Sequence, residues 1–173
     1  MTLSHFAPGF TVTGGARGLG LCLASSCIEA GADVYCCDIL SEPAEPEFSE
    51  VKKMAKLKGD KHLSYHQIDI CDIDGVRALF ASFASERAAA GMTPITGLVH
   101  AAAIQHSQPA MDYDMTIFER VMKINVEGTF TVAQAAGRVM RDSGHGGSIV
   151  LIASMSGVVC NRVSESPMRL SKI

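Results

Sequence analysis

Four glycines fall within eight residues near the start of this chain, in the stretch TGGARGLG at residues 13–20. Glycine weakens strands and helices alike, because it loses more backbone freedom on folding than any other residue. The stretch directly follows a short apolar run and directly precedes a helical pattern. A glycine-rich turn between a strand and a helix lets a ligand approach the backbone, and the helix N-terminus favours phosphate groups. The sequence therefore favours a dinucleotide site over a purely structural turn.

An acidic residue at the end of the second predicted strand supports this interpretation. Asp38 follows Gly20 by eighteen residues, and a carboxylate there can accept both ribose hydroxyls of adenosine while repelling a 2′-phosphate. In such a turn one glycine permits the tight turn, another lets the ligand approach the backbone, and a third lets the helix pack closely on the strand. Gly14, Gly18 and Gly20 are at the positions for these three roles. NAD is the expected cofactor. Arg17 could reach a 2′-phosphate, but it fits a solvated turn residue equally well, so NADP stays open.

Apolar runs alternate with longer amphipathic segments along the whole chain. We predict strands at residues 10–13, 33–37, 63–68, 95–101 and 148–152, and helices at residues 19–30, 49–57, 76–90 and 115–141. Such alternation implies a parallel sheet with helices on both faces. The fold class predicted is α/β, a Rossmann-type doubly wound sheet in three α/β/α layers. One domain is expected to occupy residues 1–173.

Composition excludes several classes of protein. Of 173 residues, 47% are hydrophobic, which is enough to bury a core, and fifteen basic residues are scattered among eighteen acidic ones. Without a basic face, nucleic acid is not an expected partner. The first ten residues have neither the basic cluster nor the apolar run of a signal peptide, and no stretch is long enough to span a bilayer. We expect a soluble cytoplasmic protein with no membrane partner.

Six cysteines lie in apolar or helical stretches rather than at regular loop spacings. This distribution favours buried reduced thiols over disulfides, metal ligands or redox groups. Cys36 and Cys37 are adjacent in a predicted strand, so their side chains point to opposite faces and cannot chelate one metal together. No metal site is expected.

The glycine turn resembles the TGxxxGxG pattern of the short-chain dehydrogenase/reductase family, and further matches follow in the family's order. Asp69, in YHQIDICD, stands where the family has an acidic residue beside the adenine. Asn125, in MKINVEGTF, matches the family's helix asparagine, and Ser154, in GGSIVLIASMSG, matches its active-site serine. The run LIASMSG is most similar to the fungal polyol and sugar reductases. The resemblance extends over about residues 9–172.

The resemblance implies an NAD(P)-dependent oxidoreductase acting on a small secondary alcohol or ketone, such as a sugar alcohol. In the family, a Tyr-x-x-x-Lys pair moves the hydroxyl proton, the serine holds the substrate oxygen and the asparagine positions a water. Ser154, Asn125 and Lys172 are the matching catalytic residues here. The resemblance also implies cofactor contacts by Leu19, Ala101 and Lys172, and a homo-oligomer built partly on the long helix.

The sequence departs from the family pattern at two places within the site. Met168 stands four residues before Lys172, where the family has its tyrosine, and a thioether has no proton to give. The stretch HAAA at residues 100–103 stands where the family usually has Asn-Asn-Ala-Gly. A packed histidine at a strand end is favoured over a catalytic His100. The three tyrosines lie on other predicted elements, so none is an expected substitute.

The chain also ends at Ile173, one residue after the lysine. We therefore expect the family's last strands and helices to be missing, which leaves an unpaired sheet edge. With these elements and the tyrosine missing, we expect the oxidoreductase to be inactive as this chain. One hypothesis is that a frameshift or misplaced splice junction between residues 161 and 168 rewrote the tail. A non-catalytic dinucleotide-binding or interaction protein is the alternative to an oxidoreductase, and a fragment that does not accumulate is a third.

Overall fold

The computed structural model of this chain describes residues 7–155, which form five strands and five α-helices. The strands are β1 (Gly9–Thr13), β2 (Asp33–Asp38), β3 (Leu63–Gln67), β4 (Ile95–His100) and β5 (Ser148–Leu151). The helices are α1 (Gly18–Glu29), α2 (Glu47–Leu57), α3 (Ile73–Ala89), α4 (Met115–Met122) and α5 (Thr129–Asp142). A 3-10 turn at Ala110–Asp112 precedes α4, and a π-helical segment at Lys123–Gly128 joins α4 to α5.

Helices cover both faces of a parallel sheet whose strand order is β3-β2-β1-β4-β5. Successive side chains of a strand point to opposite faces. Cys36 accordingly lies in the apolar cluster that α1 and α2 complete, whereas Cys37 and Tyr35 lie in the cluster that receives Phe83 of α3. α5 packs beside α3 on that second face. These layers confirm the predicted doubly wound α/β/α fold.

The chain reverses its direction of travel across the sheet between β1 and β4. From β1 it proceeds through β2 to β3 on one side, and it then returns to β4 and β5 on the other. The register places Thr13 beside Cys37 on one side and beside His100 on the other. In doubly wound sheets a crevice opens at the carboxyl ends of the strands where the strand order reverses, and ligands bind there.

A buried ion pair links α3 to the beginning of β2, at the edge of the sheet where the strands start. Arg87 Nη1 lies 3.0 Å from Asp33 Oδ2, and the two side chains are only 1% and 4% exposed. The guanidinium also donates to the carbonyl oxygens of Ala7 and Thr93, and Asp33 Oδ1 accepts from the backbone N–H of His62. These contacts provide hydrogen-bond partners for both buried charged groups, and a buried charge is tolerated only where its polar atoms have such partners.

The predicted helical region at 115–141 is confirmed, since helical structure continues from Met115 to Asp142. Within it, a π-helical segment that the sequence did not predict separates α4 from α5. At the end of that segment the N–H of Thr129 bonds to the carbonyl of Val126, and its hydroxyl bonds to the carbonyl of Asn125. Side-chain bonding of this kind is a recognised cause of a local departure from α geometry. The other predicted bounds agree with the structure to within a few residues.

The five cysteines within the described residues are free thiols, and Cys160 lies outside those residues. Cys36 and Cys37 are buried as predicted, whereas Cys27 and Cys71 are partly buried and Cys22 is exposed, so the prediction of a buried thiol is wrong for Cys22. None of the helices between residues 7 and 155 has the length and apolar content needed to cross a membrane.

Candidate functional site

A cavity of about 460 Å³ lies at the carboxyl ends of the strands, in the crevice where the strand order reverses. Eight of the nine residues predicted to bind cofactor line it, and the ninth, Lys172, lies outside the described residues. The eight are Gly14, Arg17, Gly18, Leu19, Gly20, Asp38, Asp69 and Ala101. The structure thus brings together residues that are up to 87 positions apart in the sequence, from Gly14 to Ala101 (101 minus 14).

The glycines of the turn are in contact with different neighbours. A Cβ on Gly14, whose φ is +72°, would lie 2.8 Å from the backbone nitrogen of Ala102, and a Cβ on Gly20 would collide with the carbonyl of Gly14. Gly18 has a φ of +55°, and nothing lies within 4 Å of the position its Cβ would take. Two glycines therefore permit close contact within the protein, and Gly18 leaves the backbone open towards the cavity.

The N-terminus of α1 lies at the cavity wall without a capping side chain. Within residues 7–155, no side chain caps this helix end, and its first turn contains no acidic residue. By contrast, Asp72 caps α3 by accepting from the N–H of Gly75, and Asp114 caps α4 by accepting from the N–H of Thr116. The first N–H groups of a helix have no partner within the helix, and they carry a partial positive charge. This end of α1 can therefore bind an anion.

The Asp38 carboxylate is held at the rim of the cavity by two backbone groups. Oδ2 accepts from the N–H of Ala16 at 3.1 Å, and Oδ1 accepts from the N–H of Leu40 at 3.3 Å. The hydroxyl of Tyr65 in turn donates to the Leu40 carbonyl at 2.7 Å. Burial, with a smaller contribution from the Asp38 charge, raises the pKa of Tyr65 to about 12, so this phenol remains a donor at neutral pH.

Two further walls of the cavity come from the end of β3 and from the helices after β4. Asp69 Oδ1 accepts from the N–H of Cys71 at 2.8 Å, which fixes the carboxylate at the surface, and Ile39 adds an apolar side chain nearby. Arg120 of α4 and Ile124 of the π-helical segment line the cavity as well, and the sequence analysis missed both. The sequence signal available for them was their spacing of four residues, which places two side chains on the same face of a helix.

Asn125 joins the π-helical segment to the loop after β4. Its Oδ1 accepts from the N–H of Ile104 at 2.9 Å, and its Nδ2 donates to the Ile104 carbonyl at 2.9 Å. Ser154 is partly buried, and it follows Ile152, whose N–H donates to the His100 carbonyl at the end of β4. Lys172 and Met168 lie outside the described residues, so their relation to Asn125 and Ser154 stays a prediction.

His100 is a buried histidine with partners on both ring nitrogens, in agreement with the packed role favoured from the sequence. Its Nδ1 lies 2.7 Å from Thr13 Oγ1, and its Nε2 lies 2.9 Å from Thr129 Oγ1. Burial lowers its pKa to about 4, so the ring is neutral at pH 7. Sequence reasoning missed both threonines, because they lie 87 and 29 positions from His100.

None of the three tyrosines, all of them within the described residues, lines the cavity. Tyr35 is buried in the core beside Phe83, Tyr65 is bonded to Leu40, and the hydroxyl of Tyr113 lies 3.3 Å from His106 Nδ1. That none of them substitutes for the missing tyrosine stays a prediction, because Met168 and Lys172 lie outside the described residues.

A sequence model of short chain dehydrogenases matches residues 10–165. The chain belongs to the short-chain dehydrogenase family. Among its family relatives, it is 37% identical over 151 residues to a short chain dehydrogenase/reductase (notP′) of Aspergillus versicolor, covering 87% of this chain and 50% of that protein. It is 33% identical over 155 residues to an NADH-dependent L-xylulose reductase of Ambrosiozyma monospora, covering 87% and 56%.

A solved family structure has the same fold. It is a short chain dehydrogenase from Mycobacterium paratuberculosis bound to NAD, with a TM-score of 0.77 and 25% sequence identity, and the match covers 98% of this chain and 61% of that one. The chain spans about half the length of the two curated relatives it matches.

Proposed function

We propose that this chain is one dinucleotide-binding domain over residues 1–173, that it binds NAD in preference to NADP, and that its site is of the kind that oxidises or reduces a small alcohol or ketone. The observation that carries the proposal is the cavity itself, which gathers eight residues chosen from the sequence as cofactor ligands. The NAD-bound structure and the NADH-dependent reductase among the similar proteins support the same cofactor class.

The end of α1 is the proposed site for the pyrophosphate. Its first-turn residues Gly18, Leu19 and Gly20 line the cavity, and the open space above Gly18 leaves room for a phosphate against the backbone. The uncapped N–H groups and the helix dipole supply the favourable electrostatics. The side chain of Arg17, exposed at the same rim, adds a positive charge.

Asp38 is the proposed determinant of NAD preference. Its two oxygens are already oriented by backbone donors, and each keeps lone pairs that can accept from a ribose hydroxyl. A 2′-phosphate at the same position would meet a negative charge. Ile39 and Asp69 line the neighbouring part of the cavity and are proposed to contact the adenine. Ala101 is proposed to contact the cofactor from the end of β4.

The catalytic end of the site is proposed from Ser154, Asn125 and Lys172. A bound nicotinamide supplies hydride transfer. The hydroxyl of Ser154 would hold the substrate oxygen, Asn125 would keep the loop after β4 in place, and Lys172 would contact the cofactor. Proton transfer to that oxygen needs a group other than Met168, because a thioether carries no proton. A sugar alcohol is the proposed substrate class, in keeping with the similar L-xylulose reductase.

A non-catalytic dinucleotide-binding protein is the second candidate, and Met168 is the observation that favours it. This candidate keeps the glycine turn and Asp38 but performs no hydride transfer. Steady-state turnover with a panel of polyols and ketoses separates the two candidates, provided that dinucleotide binding is demonstrated first.

We further propose that two copies associate through α5 and the π-helical segment, in the cytoplasm. Phe130 is 67% exposed and Val126 is 47% exposed, and these two apolar side chains are the proposed contact residues. Sedimentation of the chain with and without a Phe130→Ser change tests this association.

Fluorescence titration with NADH and NADPH tests the dinucleotide proposal. Saturable NADH binding is expected for the unmodified chain. Gly18→Ala should weaken it by roughly tenfold or more, because the new Cβ enters the cavity from a backbone with positive φ.

Gly91→Ala is the matched control. Gly91 has a φ of +63° with nothing within 4 Å of its Cβ position, so the backbone strain is similar, yet it does not line the cavity. Unchanged NADH affinity is expected for this variant when both variants have the circular dichroism of the unmodified chain. No saturable binding by the unmodified chain, or equal losses in the two variants, would overturn the proposal.

A further inference from the structure

Two threonines bracket His100 at the carboxyl end of β4, and the proposed function assigns no role to any of these three residues. Thr13 Oγ1 lies 2.7 Å from Nδ1, and Thr129 Oγ1 lies 2.9 Å from Nε2. Thr129 Oγ1 also lies 2.7 Å from the carbonyl oxygen of Asn125. Four residues from β1, β4, the π-helical segment and α5 thus form one continuous chain of hydrogen bonds.

Donor and acceptor roles fix the direction of this chain. A carbonyl oxygen only accepts, so the Thr129 hydroxyl donates its single proton to Asn125 and must accept from His100 Nε2. A neutral imidazole carries one proton, which leaves Nδ1 bare, and Nδ1 therefore accepts from the Thr13 hydroxyl. On this assignment the ring carries its proton on Nε2, and both of its nitrogens have a threonine partner.

Each end of this hydrogen-bond chain is next in sequence to a residue that lines the proposed dinucleotide cavity. Thr13 immediately precedes Gly14 of the glycine turn, and Ile124, which precedes Asn125, lines the opposite wall. Through its side chain Asn125 also holds Ile104, another lining residue. The hydrogen-bond chain therefore joins the glycine turn to the wall formed after β4.

Thr129 binds the Asn125 carbonyl through its side-chain hydroxyl and not through its backbone N–H. The backbone N–H of Thr129 bonds to the carbonyl of Val126 instead, so it does not supply the bond that a regular α-helix would make to Asn125. Removing the hydroxyl, or its partner His100, takes away a support of the π-helical segment at Asn125.

We propose that His100 is a positioning residue that, through Thr129, holds Asn125 and Ile104 in place and thereby sets the geometry of the cavity for the dinucleotide. The binding part of this inference rests on the proposed function. The structural part does not, because it concerns the position of Asn125 and Ile104 in the ligand-free chain.

Two NMR measurements on the ligand-free chain test the structural part. Long-range proton–nitrogen correlation should detect a proton on Nε2 of His100 and none on Nδ1. The amide of Ile104, which donates to Asn125 Oδ1, should exchange with solvent about fivefold faster in Thr129→Val than in the unmodified chain. The amide of Gly75, which donates to Asp72, serves as the internal reference and should not change.

Three variants test the binding part. His100→Leu can neither donate nor accept, and it should lower NADH affinity by roughly tenfold, as should Thr129→Val. His100→Gln can donate from its amide nitrogen and accept at its amide oxygen, so it should restore most of the affinity. A packing role alone would not distinguish glutamine from leucine in this way.

The outcomes separate the two proposals. If the unmodified chain binds no dinucleotide while Ile104 exchange responds as expected, the proposed function fails and the positioning role stands. If His100 is protonated on Nδ1, if Ile104 exchange is unchanged in Thr129→Val, or if His100→Gln binds as weakly as His100→Leu, the positioning role is wrong. Should His100→Leu fail to fold, Thr129→Val and the tautomer measurement still decide.

Discussion

Three of the four glycines of the TGGARGLG turn meet different physical requirements, although the sequence pattern treats them alike. Gly14 and Gly20 are required by contacts within the protein, where any side chain would meet backbone atoms of the turn or of the loop after β4. Gly18 is required by access from outside, because no atom of residues 7–155 lies within 4 Å of the position its Cβ would take. Substitutions at Gly20 should therefore affect folding, and substitutions at Gly18 should affect binding.

Asp38→Asn should change the choice between the two dinucleotides. The amide has nearly the shape of the carboxylate but no charge, so it removes the repulsion of a 2′-phosphate while keeping one acceptor for a ribose hydroxyl. We expect the ratio of NADPH affinity to NADH affinity to rise by roughly tenfold in fluorescence titrations. Asp60→Asn makes the same charge change outside the cavity and should leave the ratio unchanged. A ratio that stays constant in Asp38→Asn would remove Asp38 as the determinant.

His100 should make the stability of the chain depend on pH. Burial lowers its pKa to about 4 in the folded chain, whereas an unfolded histidine titrates near 6.5. Between these values the unfolded chain binds the extra proton, so stability is complete above about pH 6.5 and is lost as the pH falls towards 4. From pH 7 to pH 5 the loss due to His100 should be roughly 2 kcal/mol.

Urea unfolding at the two pH values measures this loss, with His100→Gln as the reference. Burial also lowers the pKa of His66, and that contribution is present in both proteins and cancels in the comparison. The unmodified chain should lose more stability than His100→Gln on going from pH 7 to pH 5. Equal losses would mean that His100 does not hold a depressed pKa.

At the scale of elements, strands and amphipathic helices were predictable, whereas the π-helical segment was not. Each strand is a short apolar run between turn residues, and such a run can be recognised from neighbouring residues in the sequence alone. At the end of Lys123–Gly128 the Thr129 hydroxyl is hydrogen-bonded to Asn125 and to His100, and the second of these contacts joins residues 29 positions apart. Hydrophobic periodicity contains no information about such a contact.

The link between α3 and β2 should be essential for stability. Arg87→Met removes the partner of the buried Asp33 carboxylate and should lower the free energy of unfolding by roughly 3–5 kcal/mol, measured in urea. Adding Asp33→Asn removes the orphaned charge and keeps an acceptor for the N–H of His62, so the double variant should recover part of the loss. A loss in Arg87→Met below about 1 kcal/mol would contradict the account of this ion pair.

For the molecule as a whole, the sequence predicted where the ligand site lies better than it predicted what completes the site. The glycine turn and Asp38 are contiguous signals tied to strand ends, so the fold alone brings them together. Arg120 and the partners of His100 reach the site only through tertiary contacts. All four residues of β5 are exposed, so within the described residues neither face of this strand is covered as the faces of the central strands are.

The central claim is that the dinucleotide binds at the carboxyl edge of the sheet. A second cavity, of about 440 Å³, lies at the opposite edge and is lined by Lys61 and His62, so the two locations can be compared directly. Titrating the nitrogen-15-labelled chain with NADH, we expect saturable shifts of the amides at residues 18–20 and 38–40 and none at Lys61 or His62. Saturable shifts confined to Lys61 and His62, or no shifts at the glycine turn, would contradict the claim.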